Sequence, residues 1–140
     1  MAQPFPNHPN LRGGFAPLQM ECDVNDLVIE GEIPRELNGS FYRNGPNPQY
    51  APRGHYHWFG GDGMVHAFHI EDGRVAYRNR WVRTIKWQKE REAGRSLFSA
   101  FNPMDNDESV AGLETDGVAN TNIIWHGGNC LLYTSDAADE

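Results

Sequence analysis

Apolar and polar residues alternate most regularly between Met64 and Ile85, with one interruption at Glu71-Asp72-Gly73. A period of two marks a strand with one face in and one face out. The pattern predicts a strand over residues 64–70, a tight turn at Glu71-Asp72-Gly73 and a partner strand over 74–85. Aspartate and glycine both tolerate the left-handed backbone that a type I′ hairpin turn needs. In the second arm Val75, Tyr77, Asn79, Trp81 and Arg83 share one face, and Arg74, Ala76, Arg78, Arg80 and Val82 share the other. Neither face is wholly apolar, which suits a sheet packed between neighbours better than a free two-layer sandwich.

The flanking segments are punctuated by glycine and proline. Residues 27–33, LVIEGEI, alternate well enough for another strand, closed by Pro34 because proline cannot continue a ladder. Residues 40–43 read as a short strand, and Asn44-Gly45-Pro46-Asn47-Pro48 as a rigid loop. Residues 56–59 read as a short aromatic strand that runs into Gly60-Gly61-Asp62-Gly63. Only 86–95 has helical character, and 96–120 reads as loop. Residues 121–125 form a strand ahead of a hairpin turn at Gly127-Gly128. Residues 1–20, with four prolines and no apolar period, read as an extended N-terminal arm. No segment is a helix long enough to cover a parallel sheet, so the expected class is all-β.

Composition narrows the function. Fifteen glycines and nine prolines in 140 residues agree with a turn-rich chain. A net charge of -7 opposes nucleic-acid binding, which needs basic density to displace counterions. No run approaches the roughly 18 apolar residues of a membrane span. The start, MAQPFPNHPN, lacks the basic and apolar regions of a signal peptide, so the expected location is cytoplasmic. Residues 130–140, CLLYTSDAADE, match the conceptual translation of a transposase sequencing adapter and are expected to be foreign, replacing the second arm of the last hairpin. That tail carries three of the seven net negative charges and Cys130. Cys22 is then the sole native cysteine, which fits a reducing compartment, and no disulfide is expected.

Four histidines, His55, His57, His66 and His69, invite a metal reading. His55 and His57 would share a strand face, but His66 and His69 are an odd number of residues apart and fall on opposite faces. Packing or hydrogen bonding accounts for them more simply. Gly60-Gly61-Asp62-Gly63 lacks the lysine and hydroxyl residue of a phosphate-binding loop and reads as a tight turn in which Asp62 accepts from nearby amides. Asp105, Asp107 and Glu108 lack the glycine and distal glutamate of a calcium loop. Ser96 and Ser99 have no nucleophile-elbow context.

Arg43-Asn44-Gly45-Pro46-Asn47-Pro48, followed by His57-Trp58-Phe59-Gly60-Gly61-Asp62-Gly63-Met64-Val65-His66, resembles the carotenoid cleavage oxygenase family. The likeness extends from Ile29-Glu30-Gly31-Glu32-Ile33-Pro34 and Leu37-Asn38-Gly39 through Arg80-Trp81-Val82-Arg83-Thr84 to Asn120-Thr121-Asn122. The resemblance implies the N-terminal part of a seven-bladed β-propeller, with residues 21–129 an incomplete propeller domain. It also implies an axial Fe(II) held by four histidines, and O2-dependent cleavage of a conjugated C=C bond into two carbonyl products. None of His8, His55, His57, His66, His69 or His126 matches a ligand position, so this chain is expected to hold no catalytic or metal residue and to be inactive alone. The ligands are expected beyond residue 129.

Phe59 matches a position near the family's substrate tunnel, although a simple core aromatic is an equal reading. Lignostilbene-cleaving relatives tend to carry a tyrosine near Phe101 that hydrogen-bonds the substrate phenol. Phe101 cannot make that bond, which favours an apolar polyene, a carotenoid or apocarotenoid, over a stilbene. Peripheral membrane contact stays open.

The competing class is a non-catalytic β-rich module that uses its own histidines to hold a metal or ligand. Metal analysis of a purified 1–129 polypeptide separates the two, and substoichiometric iron and zinc are the expected result. Stoichiometric metal, lost on His57→Ala plus His66→Ala, would overturn the site map drawn from the resemblance.

Overall fold

The computed structural model describes residues 3–115 and 117–133, so residues 134–140 of the expected foreign tail lie outside the described part. Six strands and one α-helix follow in chain order: β1 (Asp23–Val24), β2 (Gly39–Pro46), β3 (Gly63–Glu71), β4 (Arg74–Trp81), α1 (Ile85–Ala93), β5 (Asn122–His126) and β6 (Asn129–Tyr133). The first four form one antiparallel sheet in the order β1-β4-β3-β2, and β5 and β6 form a separate hairpin.

The β3–β4 hairpin closes at Glu71↔Arg74, with Asp72 at φ 53° and Gly73 at φ 76°. Both turn residues are in the left-handed region, as the Asp-Gly pair requires. One sheet face carries Met64, Val75, Asn79 and Trp81, all buried. Met64 and Trp81 pack on Trp87 of α1, and Leu97, Phe98 and Val110 make a second small core. The other face of β4 is basic. Its Arg78 and Arg80 pair with Asp23, and Arg74 pairs with Asp26 at 2.6 Å. These exposed pairs orient the chain before the sheet rather than stabilise it greatly.

Two asparagines tie that leading segment down. Asn79 Oδ1 accepts from Cys22 N (2.7 Å) while its Nδ2 donates to Met20 O (2.9 Å). Asn47 does the same with the amide and carbonyl of Leu18, at 2.7 and 2.9 Å. Each amide side chain satisfies a donor and an acceptor of an extended segment that has no strand beside it. Cys22 and Cys130 are both free thiols.

The structure departs from the pattern reading in four places. Residues 27–33 make no strand: Leu27 N donates to Val75 O (2.8 Å), after which the chain leaves the sheet and Val28 is 97% exposed. Alternation alone makes no strand without a partner edge, and β1 occupies part of that edge of β4. β2 runs past Arg43 through Asn44 and Gly45 to Pro46, which pairs with Gly63. Proline is tolerated there because it ends the ladder. The expected aromatic strand at 56–59 is instead a 3₁₀ turn at Trp58–Gly60, with the His57 ring accepting from Phe59 N. β4 stops at Trp81 rather than Ile85, because Thr84 caps α1 through a bond from Trp87 N (3.1 Å). Cys130, Leu131 and Leu132 pair with Trp125, Ile124 and Ile123 in the last hairpin.

That hairpin meets the main sheet through Asn44, whose Nδ2 donates to Asn122 O (3.4 Å) and, just before the hairpin, to Ala119 O (2.9 Å). Much apolar surface stays open, including Phe41 (59% exposed) and Trp125 (73%). Among the described residues no helix is long and apolar enough to cross a membrane. An isolated polypeptide of this sequence is expected to self-associate through these faces and the open edge of β2. Light scattering and thermal melting check this, and a soluble monomer with one sharp melt would contradict it.

Candidate functional site

The turn 58–61 and the loop 96–101 meet at a contact that only glycine permits. A Cβ on Gly60 would lie 2.2 Å from Ala100 Cβ, and one on Gly63 would lie 2.2 Å from Ala119 O. The glycines around Asp62 are therefore there for close approach, not for left-handed backbone. Asn120 locks the turn from behind, donating from Nδ2 to Phe59 O (2.8 Å) and Gly61 O (2.7 Å).

Phe59 and Phe101, 42 residues apart in the numbering, border one groove of about 490 Å³ together with Phe98, Leu113 and Val118. Both rings are more than half exposed. The His57 ring links them edge-on, 4.7 Å from Phe59 and 6.1 Å from Phe101 between centroids. Phe59 is 59% exposed in this segment. Ser99 and Thr115 add hydroxyls to the lining.

Beneath the groove lies a buried ionic cluster. Lys86 Nζ donates to Asp62 Oδ1 (2.6 Å) and to Glu90 Oε2 (2.9 Å), and both carboxylates are 1% exposed. Asp62 Oδ2 accepts from Gln49 N (2.9 Å), a distant amide rather than a neighbour within its own turn. Glu90 Oε1 accepts from Leu97 N (2.9 Å), Phe98 N (3.0 Å) and Ser96 Oγ (3.2 Å). Burial by itself would lower the Lys86 pKa, but the two carboxylates outweigh it and raise the value above that of an ordinary lysine. Nearby Tyr56 is pushed up to about 12 by burial and by the charge of Asp62.

The histidines go elsewhere. His66 Nδ1 bonds Tyr77 OH (2.8 Å) on one sheet face, and His69 Nδ1 bonds Ser40 Oγ (2.9 Å) on the other. Burial and the Arg43 charge lower the His66 pKa. His8 packs edge-on against Tyr56, while His55 and His126 are exposed. Among the described residues no group of three or more His, Cys, Asp or Glu side chains could hold a metal ion. The acidic loop is used internally: Asp107 pairs with Arg95 (2.5 Å) and Arg53 (3.4 Å), and the hydrogen bonds from Arg95 and Ser109 hold its carboxyl far below the usual range. Pattern reading missed Lys86 and Glu90. Their i, i+4 spacing on the one charged helix was visible, but their burial was not.

Comparison with known proteins places this geometry. Isoeugenol monooxygenase of Pseudomonas nitroreducens is 46% identical over 137 residues, 97% of this chain and 28% of the relative. Carotenoid 9,10(9',10')-cleavage dioxygenase 1 of Phaseolus vulgaris is 36% identical over 149 residues, 93% of this chain and 26% of the relative. The crystal structure of Pseudomonas brassicacearum lignostilbene dioxygenase superposes with a TM-score of 0.84 at 39% identity, covering 92% of this chain and 27% of that one. The chain thus spans little more than a quarter of the relatives it matches. Its sheets are part of the seven-bladed β-propeller of the carotenoid oxygenases. Residues 15–138 match the profile of the retinal pigment epithelial membrane protein family, and the chain belongs to that family.

In a longer protein carrying this segment, Lys86→Met is expected to cost about 3–5 kcal/mol, because it leaves two buried carboxylates without their cation. Chemical denaturation of the purified variant measures this, and a cost below about 1 kcal/mol would mean that water reaches the cluster.

Proposed function

We propose that this chain is part of a non-haem Fe(II) dioxygenase that splits a conjugated C=C bond with O2 into two carbonyl products. In this reading residues 57–61 and 96–101 build an aromatic wall of its substrate tunnel. The convergence of Phe59 and Phe101 on one groove is the observation that carries it. Flat rings on both sides suit a flat conjugated substrate, since offset and edge-on ring contacts add to simple burial.

The described residues do not fit an iron site. His66 and His69 face opposite sides of the sheet and bond other side chains. Four histidine ligands are proposed to lie in the longer protein, beyond residue 129, and iron, when bound there, supplies the activation of O2. This segment contributes shape, exclusion of water and orientation of the alkene.

For substrate, an aryl-conjugated alkene is the reading we favour. Relatives at 46% and 43% identity are named for isoeugenol and lignostilbene. The hydroxyls of Ser99 and Thr115 give a ring oxygen partners within the groove. A carotenoid or apocarotenoid is the second reading, favoured by Phe101, which lacks a hydroxyl for a phenol.

Assay of the longer protein under O2 with isoeugenol, a hydroxystilbene and an apocarotenal decides between them. Turnover of the aryl alkenes is expected, with Phe59→Ala raising KM about tenfold through loss of one ring contact. Turnover of the apocarotenal alone would reverse the substrate assignment, and turnover of none would defeat the enzyme reading.

A further inference from the structure

We infer that Asp62, Lys86 and Glu90 are positioning residues that set the width of the aromatic groove, by holding the turn that carries Phe59 and the loop that carries Phe101 on one buried ammonium. The inference rests on the reading of the groove as a substrate site. Asp62 follows the turn directly and binds Lys86 through Oδ1. Glu90 binds the same ammonium through Oε2, and with Oε1 it collects the N–H groups of Leu97 and Phe98, where the Phe101 loop begins. Each wall of the groove is thus anchored to a carboxylate, and the two carboxylates share a single cation that itself borders the groove.

The connection is stiff for three reasons. Both carboxylates are almost fully buried, so water cannot replace a lost partner. Charge-assisted hydrogen bonds are short and directional. The turn and the loop also touch at Gly60 and Ala100 with no room for a methyl group, so neither wall moves without the other. A cluster that served stability alone would not need its acceptors on the two segments that present the rings. A salt bridge of the ordinary kind exists on the same helix between Lys89 and Glu92, at 3.0 Å and exposed, and it touches neither wall.

The test uses the longer, metal-loaded protein and three variants. Glu90→Ala removes the acceptor of the Phe101 loop, Glu90→Gln keeps an oxygen for Leu97 and Phe98 but loses the charge, and Glu92→Gln breaks the exposed pair. Glu90→Ala is expected to raise KM for the preferred alkene by about tenfold with kcat within about twofold, the pattern of lost uniform binding. Glu90→Gln should recover most of that loss, Glu92→Gln should match the parent, and crystal structures should show loop 96–103 displaced in the Glu90→Ala protein, displaced the same way but less in Glu90→Gln, and unmoved in Glu92→Gln. If Glu90→Ala fails to fold, an intermediate rise of about threefold in Glu90→Gln with the same loop shift carries the result. A lowered melting temperature with parental KM and an unmoved loop would overturn the inference. If the parent turns over no alkene, the functional reading fails, while the loop displacement still decides whether the cluster positions the walls.

Discussion

The Lys86 ammonium, closed between the carboxylates of Asp62 and Glu90, is the constraint on which this structure depends. Three charges out of water are costly, and only full hydrogen bonding makes them tolerable. Here that bonding reaches four separate stretches: Gln49 after the Asn-Pro loop, the glycine-rich turn, helix α1 and the start of the 96–101 loop. None of these stretches has a ladder partner of its own in the main sheet. The cluster does for them what strand pairing does for β2, β3 and β4.

Around it, side chains stand in repeatedly for missing backbone partners. Asn47 and Asn79 each bond an amide and a carbonyl of the leading segment, and Asn120 bonds two carbonyls of the glycine turn. The Trp81 indole donates to Asn47 O at 2.9 Å, so the core and the Asn-Pro loop are also joined by a hydrogen bond. Such contacts fix irregular chain as firmly as a sheet, because every buried backbone group has to find a partner. They hold the loop-rich surface that carries Phe59.

Of the four histidines that first suggest a metal site, His66 bonds Tyr77, His69 bonds Ser40 and His57 caps the 3₁₀ turn, while His55 is exposed. The apolar residues that a conventional core would bury, Phe59 and Phe101 among them, face a groove instead.

Much of the sheet was legible in the sequence because strand alternation and turn chemistry are local. The β3–β4 hairpin follows from a period of two around Asp72-Gly73, and the parity of His66 and His69 from their spacing; helical character was legible over 86–95, but the Thr84 cap that starts the helix at Ile85 was not. Residues 27–33 have the same alternation and no strand, since pairing depends on which edge is free. The meaning of Gly60-Gly61-Asp62-Gly63 was also hidden, because its glycines answer to Ala100 and Ala119, far along the chain. By itself the sequence determined which segments could be strands, where they turn and which side chains share a face. Only the tertiary structure decided that Lys86 and Glu90 are buried and that Phe59 meets Phe101, because burial and close approach are set by segments distant in sequence.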